Sequence, residues 1–273
     1  MKIGVLQMTS GIDPAVNAAT ISEGVEQAAS SGAAMVYTPE MSGLLDRDRV
    51  RAADVISFER DDVVLAAVRE AARKHGIWVH LGSLALKGEG DRWFNRGFVI
   101  DSDGNIRARY DKLHLFDVDL PTGETWRESN AYAGGTSASV VDTPVGAIGM
   151  SICYDLRFAA LYAGLSMAGA TLLSIPAAFT RPTGRAHWHV LLRARAIESA
   201  SYVVAAAQTG IHADGRATYG HSLVVDPWGE VVLDMGDEPG LGIAEINPML
   251  VADVRARIPV LTHRRPIPDI VRA

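Results

Sequence analysis

The chain has 273 residues, of which 48% are hydrophobic and 21% are charged, and its formal net charge is −6. This length and composition allow a large buried core and predict one domain over residues 1–273. Charges of both signs are interspersed, which argues against a basic face for nucleic acid or anionic lipid. No segment approaches the ~18 to 20 apolar residues of a membrane span, and the single cysteine excludes an intramolecular disulfide. We therefore expect a soluble protein, suited to the reducing cytoplasm, without a nucleic-acid or membrane partner.

The N-terminal part of the chain alternates between strand and helix patterns. The apolar spacing predicts, in order, a strand at Ile3–Met8, a helix at Val16–Ser30, a strand at Ala34–Tyr37, a helix around Val64–Ala71 that ends at Gly76, and a strand at Ile77–Leu81. This alternation predicts a layered α/β fold.

The pattern changes at Trp93, where hairpin signals begin. Two strands, Phe94–Ile100 and Ile106–Tyr110, flank a turn sequence at residues 101–105. Residues 111–136 then form a polar segment without periodicity that contains Pro121 and several glycines. A segment of this length inside a compact domain predicts a functional loop.

The C-terminal half continues with strands and helices and ends in a proline-rich tail. The predicted elements are strands at Ala138–Val141 and Ala147–Ile152, a helix at Leu156–Ala170, a strand at Thr171–Ile175, a helix at His187–Ser201, a strand at Tyr202–Ala207, a hairpin of Ser222–Asp226 and Glu230–Leu233, and a strand at Gly242–Ile246. We expect residues 250–273 to be an irregular tail that packs on a neighbouring subunit.

The only cysteine, Cys153, lies at the turn between a predicted strand and a predicted helix. The unpaired N–H groups of a first helical turn would favour its thiolate and could stabilise an oxyanion. A free cysteine can instead be an ordinary buried apolar residue. The polar residues Tyr154, Asp155 and Arg157 follow it directly, and a purely structural cysteine needs none of them.

Three polar groups stand where predicted strands end, which is the usual place for a site in a layered α/β fold. They are the carboxylate of Glu40, the ammonium of Lys112 and the thiol of Cys153. A thiolate nucleophile needs a base for its proton and positive charge for the oxyanion, and these groups could supply both. Each also has an ordinary surface explanation, as does Glu128 in its polar loop.

A cysteine–histidine pair is the competing chemistry, with His114, His187, His189 and His221 as candidates, and no motif selects one of them. His187 and His189 are two residues apart and face different sides of a helix, which disfavours a shared metal site. With one cysteine and no H-E-x-x-H pattern, no zinc site is expected. No glycine-rich nucleotide motif is present, so nothing in the sequence implies a bound nucleotide.

Three motifs resemble, in order and spacing, the signatures of the nitrilase (carbon-nitrogen hydrolase) superfamily. They are Thr38-Pro-Glu40, Tyr110-Asp-Lys112-Leu-His-Leu-Phe-Asp and Ile152-Cys153-Tyr-Asp-Leu-Arg157-Phe. The resemblance extends over nearly the whole chain. Later stretches, such as Tyr219-Gly-His-Ser222 and Asp226-Pro-Trp-Gly229, are similar to the branch that contains deaminated glutathione amidase and omega-amidase.

This resemblance implies a four-layer α-β-β-α sandwich that forms homodimers or higher oligomers and needs no metal or cofactor. It implies Glu40 as general base, Lys112 as the charge that stabilises the tetrahedral intermediate and Cys153 as nucleophile. Glu128 resembles the additional active-site glutamate of the superfamily. The backbone N–H of Tyr154 would complete the oxyanion hole.

The implied reaction is hydrolysis of an amide in a small carboxylate-bearing substrate through a cysteine thioester, with deaminated glutathione as first choice. An omega-amide of a 2-oxo acid, a nitrile or an N-carbamoyl amino acid are the alternatives within the superfamily, and a non-catalytic binding or assembly module is the alternative outside catalysis. The chain departs from related amidases at His189, where they usually have glutamate, and at Ala159-Ala160, where they usually have Pro-Glu.

A substrate carboxylate must find a cation or N–H donors once it leaves water. Arg181 and Arg185 flank Pro182-Thr-Gly184 on the predicted loop after Thr171–Ile175, so they are candidate anchors. The alternative is two solvated surface arginines.

Overall fold

The computed structural model describes residues 1–88, 90–120 and 123–272. Within these ranges it contains two six-stranded sheets, two small two-stranded sheets and six α-helices. The strands are β1 (Lys2–Gln7), β2 (Met35–Tyr37), β3 (Trp78–Lys87), β4 (Trp93–Ile100), β5 (Ile106–Asp111), β6 (Asp117–Asp119), β7 (Thr125–Arg127), β8 (Val140–Thr143), β9 (Gly146–Met150), β10 (Leu172–Ser174), β11 (Tyr202–Ala205), β12 (Thr209–Ile211), β13 (Ala217–Tyr219), β14 (Leu223–Val225), β15 (Val231–Asp234) and β16 (Gly240–Glu245). The helices are α1 (Pro14–Ser30), α2 (Arg49–Val55), α3 (Val63–His75), α4 (Ala159–Met167), α5 (Arg181–Ser199) and α6 (Pro248–Arg257), with short 3-10 helices at Glu59–Asp61, Glu128–Asn130 and Cys153–Arg157.

The two large sheets are built alike. The first has the order β16-β1-β2-β3-β4-β5 and the second has the order β15-β14-β11-β10-β9-β8. In each, parallel strands occupy the centre and antiparallel strands lie at both sides. Parallel neighbours need a crossover connection, and helices α1, α3, α4 and α5 follow the central strands in this way.

Helices cover the outer face of each large sheet, and the inner faces pack on each other. Ile21 and Val25 of α1 and Val68 of α3 are buried in one apolar cluster with the first sheet. A second cluster joins residues of both sheets, such as Ile3 and Val204, with the helices of the second sheet. The predicted four-layer α-β-β-α sandwich is confirmed.

Helix α5 begins earlier than predicted. The sequence around Pro182 and Gly184 indicates a loop, whereas the structure has helix from Arg181 onward. Proline is tolerated in a first helical turn because that N–H has no intrahelical partner. A Cβ on Gly184 would lie 2.2 Å from the Cγ atom of Tyr219, so this glycine lets the helix pack closely against β13.

The predicted irregular tail begins with a helix. In α6, Val251 and Val254 are buried, and Arg255 donates hydrogen bonds to the backbone oxygens of Ala170 and Ala200 at 2.6 and 3.1 Å. This part of the tail therefore packs on its own chain, while residues 265–272 are exposed.

The predicted loop at 111–136 also contains structure, namely the β6–β7 hairpin and a 3-10 helix at Glu128–Asn130. Pro121 lies outside the described residues. The sequence patterns also did not predict α2, β12 or β13. None of the helices in the described part of the chain combines the length and the apolar character needed to cross a bilayer.

A buried imidazole makes the stability of this fold sensitive to acid. His80 stacks on Tyr37 with ring centroids 5.4 Å apart, and within the described residues neither of its ring nitrogens has a hydrogen-bond partner. Burial lowers the pKa of His80 from 6.5 to about 4. Between these two pH values the unfolded chain takes up a proton that the folded chain does not, so stability falls as the pH falls.

From the size of this pKa shift, we expect His80 to remove about 2 kcal/mol of unfolding free energy between about pH 7 and about pH 5. Urea unfolding of the wild type and of His80→Phe at both pH values measures this, because phenylalanine keeps a ring at the site and does not titrate. An equal loss in both proteins would assign the acid sensitivity to other groups.

Candidate active site

Glu40, Lys112 and Cys153 come from three separate connections and meet at one cavity. Glu40 follows β2, Lys112 follows β5 and Cys153 follows β9. All three line a cavity of about 740 Å³, together with Glu128 and Tyr154. The structure thus brings together the predicted polar groups.

Lys112 lies between two carboxylates. Its Nζ atom donates hydrogen bonds to Oε1 of Glu40 and to Oε2 of Glu128, each at 2.9 Å. The side chains of Lys112 and Glu40 are 2% and 5% exposed, so water contributes little to their solvation. Buried charges of this kind are tolerated when they are paired and hydrogen-bonded, as they are here.

Asn95 holds both carboxylates, and the sequence analysis did not identify it. Its Nδ2 atom donates to Oε1 of Glu40 at 2.9 Å and to Oε1 of Glu128 at 3.2 Å. The backbone N–H of Ala178 donates to the other oxygen of Glu40 at 2.9 Å. An amide side chain inside the largely apolar strand β4 was the available signal for this residue.

The charges of the site set its protonation states. Burial by itself raises the pKa of Glu40. The charge of Lys112 and the hydrogen bonds that the Glu40 carboxylate accepts outweigh burial, so the pKa of Glu40 is lowered. Burial would lower the pKa of Lys112, but the charges of Glu128 and Glu40 outweigh it and raise that pKa well above its usual value. Near neutral pH the site therefore holds a carboxylate base beside an ammonium.

The prediction of a favoured thiolate at Cys153 is wrong. Burial, followed by the negative charge of Glu40, raises the pKa of the Cys153 thiol well above its usual value. The backbone N–H of Cys153 is already occupied by a hydrogen bond to the Pro176 oxygen at 2.9 Å. With its pKa raised in this way, the thiol is protonated near neutral pH.

The backbone at the cysteine turn is strained. Cys153 has φ of 52°, in the left-handed region that non-glycine residues rarely adopt. Such strain is found where the surroundings hold a functional group in place. Within the described residues, the N–H of the next residue, Tyr154, donates to no protein group, so it is available to an oxyanion.

Asp155 joins the cysteine turn to the segment that carries Lys112. It is fully buried and accepts hydrogen bonds from the Ile152 N–H at 2.9 Å, the Tyr110 hydroxyl at 2.7 Å and the His114 N–H at 3.0 Å. The imidazole of His114 also contacts Asp155 at 2.7 Å. Two segments far apart in sequence are thereby held in one arrangement.

The alternative of a cysteine–histidine pair finds no support in this geometry. None of the four candidate histidines is among the described residues that line the cavity. His114 contacts Asp155, His187 contacts Arg157, and His189 and His221 contact Asp234.

The candidate carboxylate anchors Arg181 and Arg185 do not line the cavity, and both belong to α5 rather than to a loop. Arg216 lines it instead, with its guanidinium 4.7 Å from the ring centre of Trp126. Within the described residues, the buried Nε of Arg216 and the buried Nε1 of Trp126 have no hydrogen-bond partner. Sequence analysis missed both residues, because no local pattern distinguishes them from surface groups.

Comparisons with known proteins agree with this architecture. Residues 2–256 match the family model described as carbon-nitrogen hydrolase. The chain is 42% identical over 269 residues to the deaminated glutathione amidase of Mus musculus. The match covers 97% of this chain and 83% of that protein. The solved structure of a mutant of the amidase from Nesterenkonia sp. AN1, described as showing Michael addition of acrylamide at the active-site cysteine, has a TM-score of 0.79 and 25% identity, with 94% of this chain and 98% of that chain covered.

The nitrilase and fragile histidine triad fusion protein NitFhit of Caenorhabditis elegans is 45% identical over 267 residues. The match covers 96% of this chain, and the chain spans 60% of the length of NitFhit. The NitFhit crystal structure has a TM-score of 0.90 and 44% identity, with 97% of this chain and 65% of that chain covered. The resemblance found in the sequence motifs is confirmed, and the chain belongs to the carbon-nitrogen hydrolase family.

Proposed function

We propose that the chain hydrolyses the carbon–nitrogen bond of a carboxamide through a thioester on Cys153. The observation that carries this proposal is that the Cys153 thiol, the Glu40 carboxylate and the Lys112 ammonium meet at the wall of one cavity, where Lys112 is hydrogen-bonded to Glu40. The arrangement supplies a nucleophile, a base and a positive charge for the oxyanion.

In the first half-reaction, Glu40 takes the thiol proton as Sγ of Cys153 bonds to the amide carbon. The carbonyl oxygen becomes an oxyanion, which the Lys112 ammonium and the Tyr154 N–H stabilise. The intermediate then collapses, the carbon–nitrogen bond breaks, and Glu40 returns its proton to the leaving amine. Ammonia departs and a thioester remains.

In the second half-reaction, water attacks the thioester carbon and gives a proton to Glu40. The carbon–sulfur bond breaks, the acid departs, and the proton on Glu40 returns to the sulfur. One water is consumed in each turnover. Glu128 holds the Lys112 ammonium in place throughout, since it accepts hydrogen bonds from Nζ at 2.9 and 3.2 Å.

We propose deaminated glutathione as the first choice of substrate. The name of the mouse relative supports it, and so does the cation of Arg216 at the wall of a cavity large enough for a peptide-sized acid. An omega-amide of a 2-oxo acid, a nitrile and an N-carbamoyl amino acid remain the competing substrates. An ammonia-release screen over these compounds tests the proposal, and turnover fastest on a nitrile would overturn the substrate class.

We expect Arg216→Ala to cost a carboxylate substrate about 1.5 to 3 kcal/mol, or about 10- to 150-fold in kcat/KM, because a charged hydrogen bond is lost. An uncharged analogue should lose far less. Steady-state kinetics on both substrates measure the difference. Arg185→Ala is the matched control and should change neither, since Arg185 is exposed and lies outside the cavity lining. Equal losses on both substrates in Arg216→Ala would show a structural role only.

A non-catalytic binding or assembly module is the alternative outside catalysis. It is disfavoured because such a module has no need of a buried Glu–Lys–Glu arrangement beside a thiol. Covalent acyl-enzyme, detected by mass spectrometry with any amide, would exclude it.

We further propose a single domain over residues 1–273, a cytoplasmic location and a homodimer or higher oligomer. The exposed tail at 265–272 would pack on a partner subunit. Sedimentation of the full chain and of a chain shortened by this tail tests the last point, since loss of the tail should weaken association.

A further inference from the structure

Two histidines and an aspartate from distant parts of the chain meet on the surface, away from the cavity. His189 lies on α5, His221 follows β13 and Asp234 ends β15. One possible ligand atom from each lies within 4.8 Å of the others. We call these residues the His189–His221–Asp234 cluster, and none of the three lines the catalytic cavity.

The carboxylate lies between the two imidazoles. Nε2 of His189 is 3.0 Å from Oδ2 of Asp234, and Nδ1 of His221 is 2.8 Å from Oδ1. Two ligands at right angles around one ion, each bonded at about 2.1 Å, are separated by about 3.0 Å. The nitrogen–oxygen separations therefore suit a shared ion with small side-chain adjustments.

The surroundings hold the His221 ring in position. Its backbone has φ of 53°, its N–H donates to the Gly236 oxygen at 2.7 Å, and its carbonyl accepts from Nε1 of Trp188 at 2.8 Å. Its ring stacks on Tyr219 with centroids 4.5 Å apart. Fixing the ring in advance lowers the ordering cost of binding a ligand.

Two imidazoles and a carboxylate are the donor set of divalent transition metals rather than of Mg²⁺ or Ca²⁺. The side chains of His189 and Asp234 are 36% and 35% exposed, which leaves space for water ligands and for entry of an ion. We propose that the His189–His221–Asp234 cluster binds one divalent transition-metal ion. Binding releases any proton on the ligating nitrogens and involves no redox step.

The ion would tie α5 to the β14–β15 hairpin. The segment just before α5 lines the cavity at Phe179 and Thr180, and the preceding Ala178 N–H donates to Glu40. The ion would therefore stabilise the fold around this cavity wall without touching a reacting group. We expect it to raise thermal stability and not to be required for turnover.

The test is a titration of tag-free, EDTA-treated protein with Co²⁺, followed by calorimetry and by visible absorption. Cys153→Ala serves as the background, because the thiol and carboxylates of the catalytic site could bind the same ion. We expect one equivalent to bind. His221→Ala and Asp234→Asn, each added to this background, should weaken binding at least ~10-fold, as loss of metal-site groups commonly does.

His263→Ala is the matched control, because His263 is exposed and lies outside the cluster. It should bind Co²⁺ unchanged. Circular dichroism verifies that each variant is folded. Zn²⁺, but not Mg²⁺, should raise the melting temperature, and only in proteins whose cluster is intact. The proposal would be overturned, leaving an ordinary hydrogen-bonded triad, if binding is not saturable or if both cluster variants bind Co²⁺ as tightly as the Cys153→Ala background.

Discussion

We expect Cys153→Ala to be folded and to have no measurable amide turnover, because alanine removes the only group that can form the thioester. The side chain is 8% exposed and the change removes one sulfur, so the loss of packing is small. Lys112, Asn95 and Ala178 still hold the Glu40 carboxylate in this variant. Ammonia release and thermal melting together measure both parts of this expectation.

Mass spectrometry provides a second readout for the cysteine. The wild type with a slowly hydrolysed substrate should carry one acyl group on Cys153, and the alanine variant should carry none. Full turnover by the alanine variant, or an adduct at another residue, would contradict the thioester mechanism.

The second large effect is expected for Glu40→Gln, which should lower kcat by about 10²- to 10⁴-fold and leave KM nearly unchanged. Glutamine has nearly the same shape but cannot accept the thiol proton. The raised pKa of Cys153 makes this step demanding, since little thiolate forms without a base. Steady-state kinetics on a carboxamide measure the effect, and a change confined to KM would show that Glu40 only positions the substrate.

Lys112 is a less clean test of the same chemistry, because its removal leaves the buried carboxylate of Glu40 and the partly buried carboxylate of Glu128 without their cation. Breaking a buried pair of this kind costs about 3 to 5 kcal/mol of stability. Lys112→Arg keeps the charge but should not restore activity, because a planar guanidinium is broader than the ammonium that fits between Glu40 and Glu128. Urea unfolding and kcat therefore have to be measured on the same Lys112 variants.

Local patterns in the sequence were enough for the layered α/β fold, while the choice of the principal candidate site residues also depended on the resemblance to the carbon-nitrogen hydrolase motifs. Apolar residues at every second position, or at helical spacing, indicate which face of a strand or helix is buried. The strands and helices predicted in this way build the layers that the structure shows. Glu40, Lys112 and Cys153 became candidates because each stands at the end of a strand, and the family motifs then assigned their roles. The sequence also showed that His189 departs from the related amidases, but it did not show that Asp234 lies against this histidine.

Only the tertiary structure decided which groups touch and how they are solvated. Asn95 lies 55 residues from Glu40 and contacts it only because the sheet places β4 next to β3, which in turn neighbours β2. The thiol pKa depends on burial and on the charge of Glu40, neither of which a strand-to-helix turn specifies. For the same reason Arg216, rather than Arg181 or Arg185, lines the cavity, since long-range packing and desolvation are properties of the folded chain and not of its local sequence.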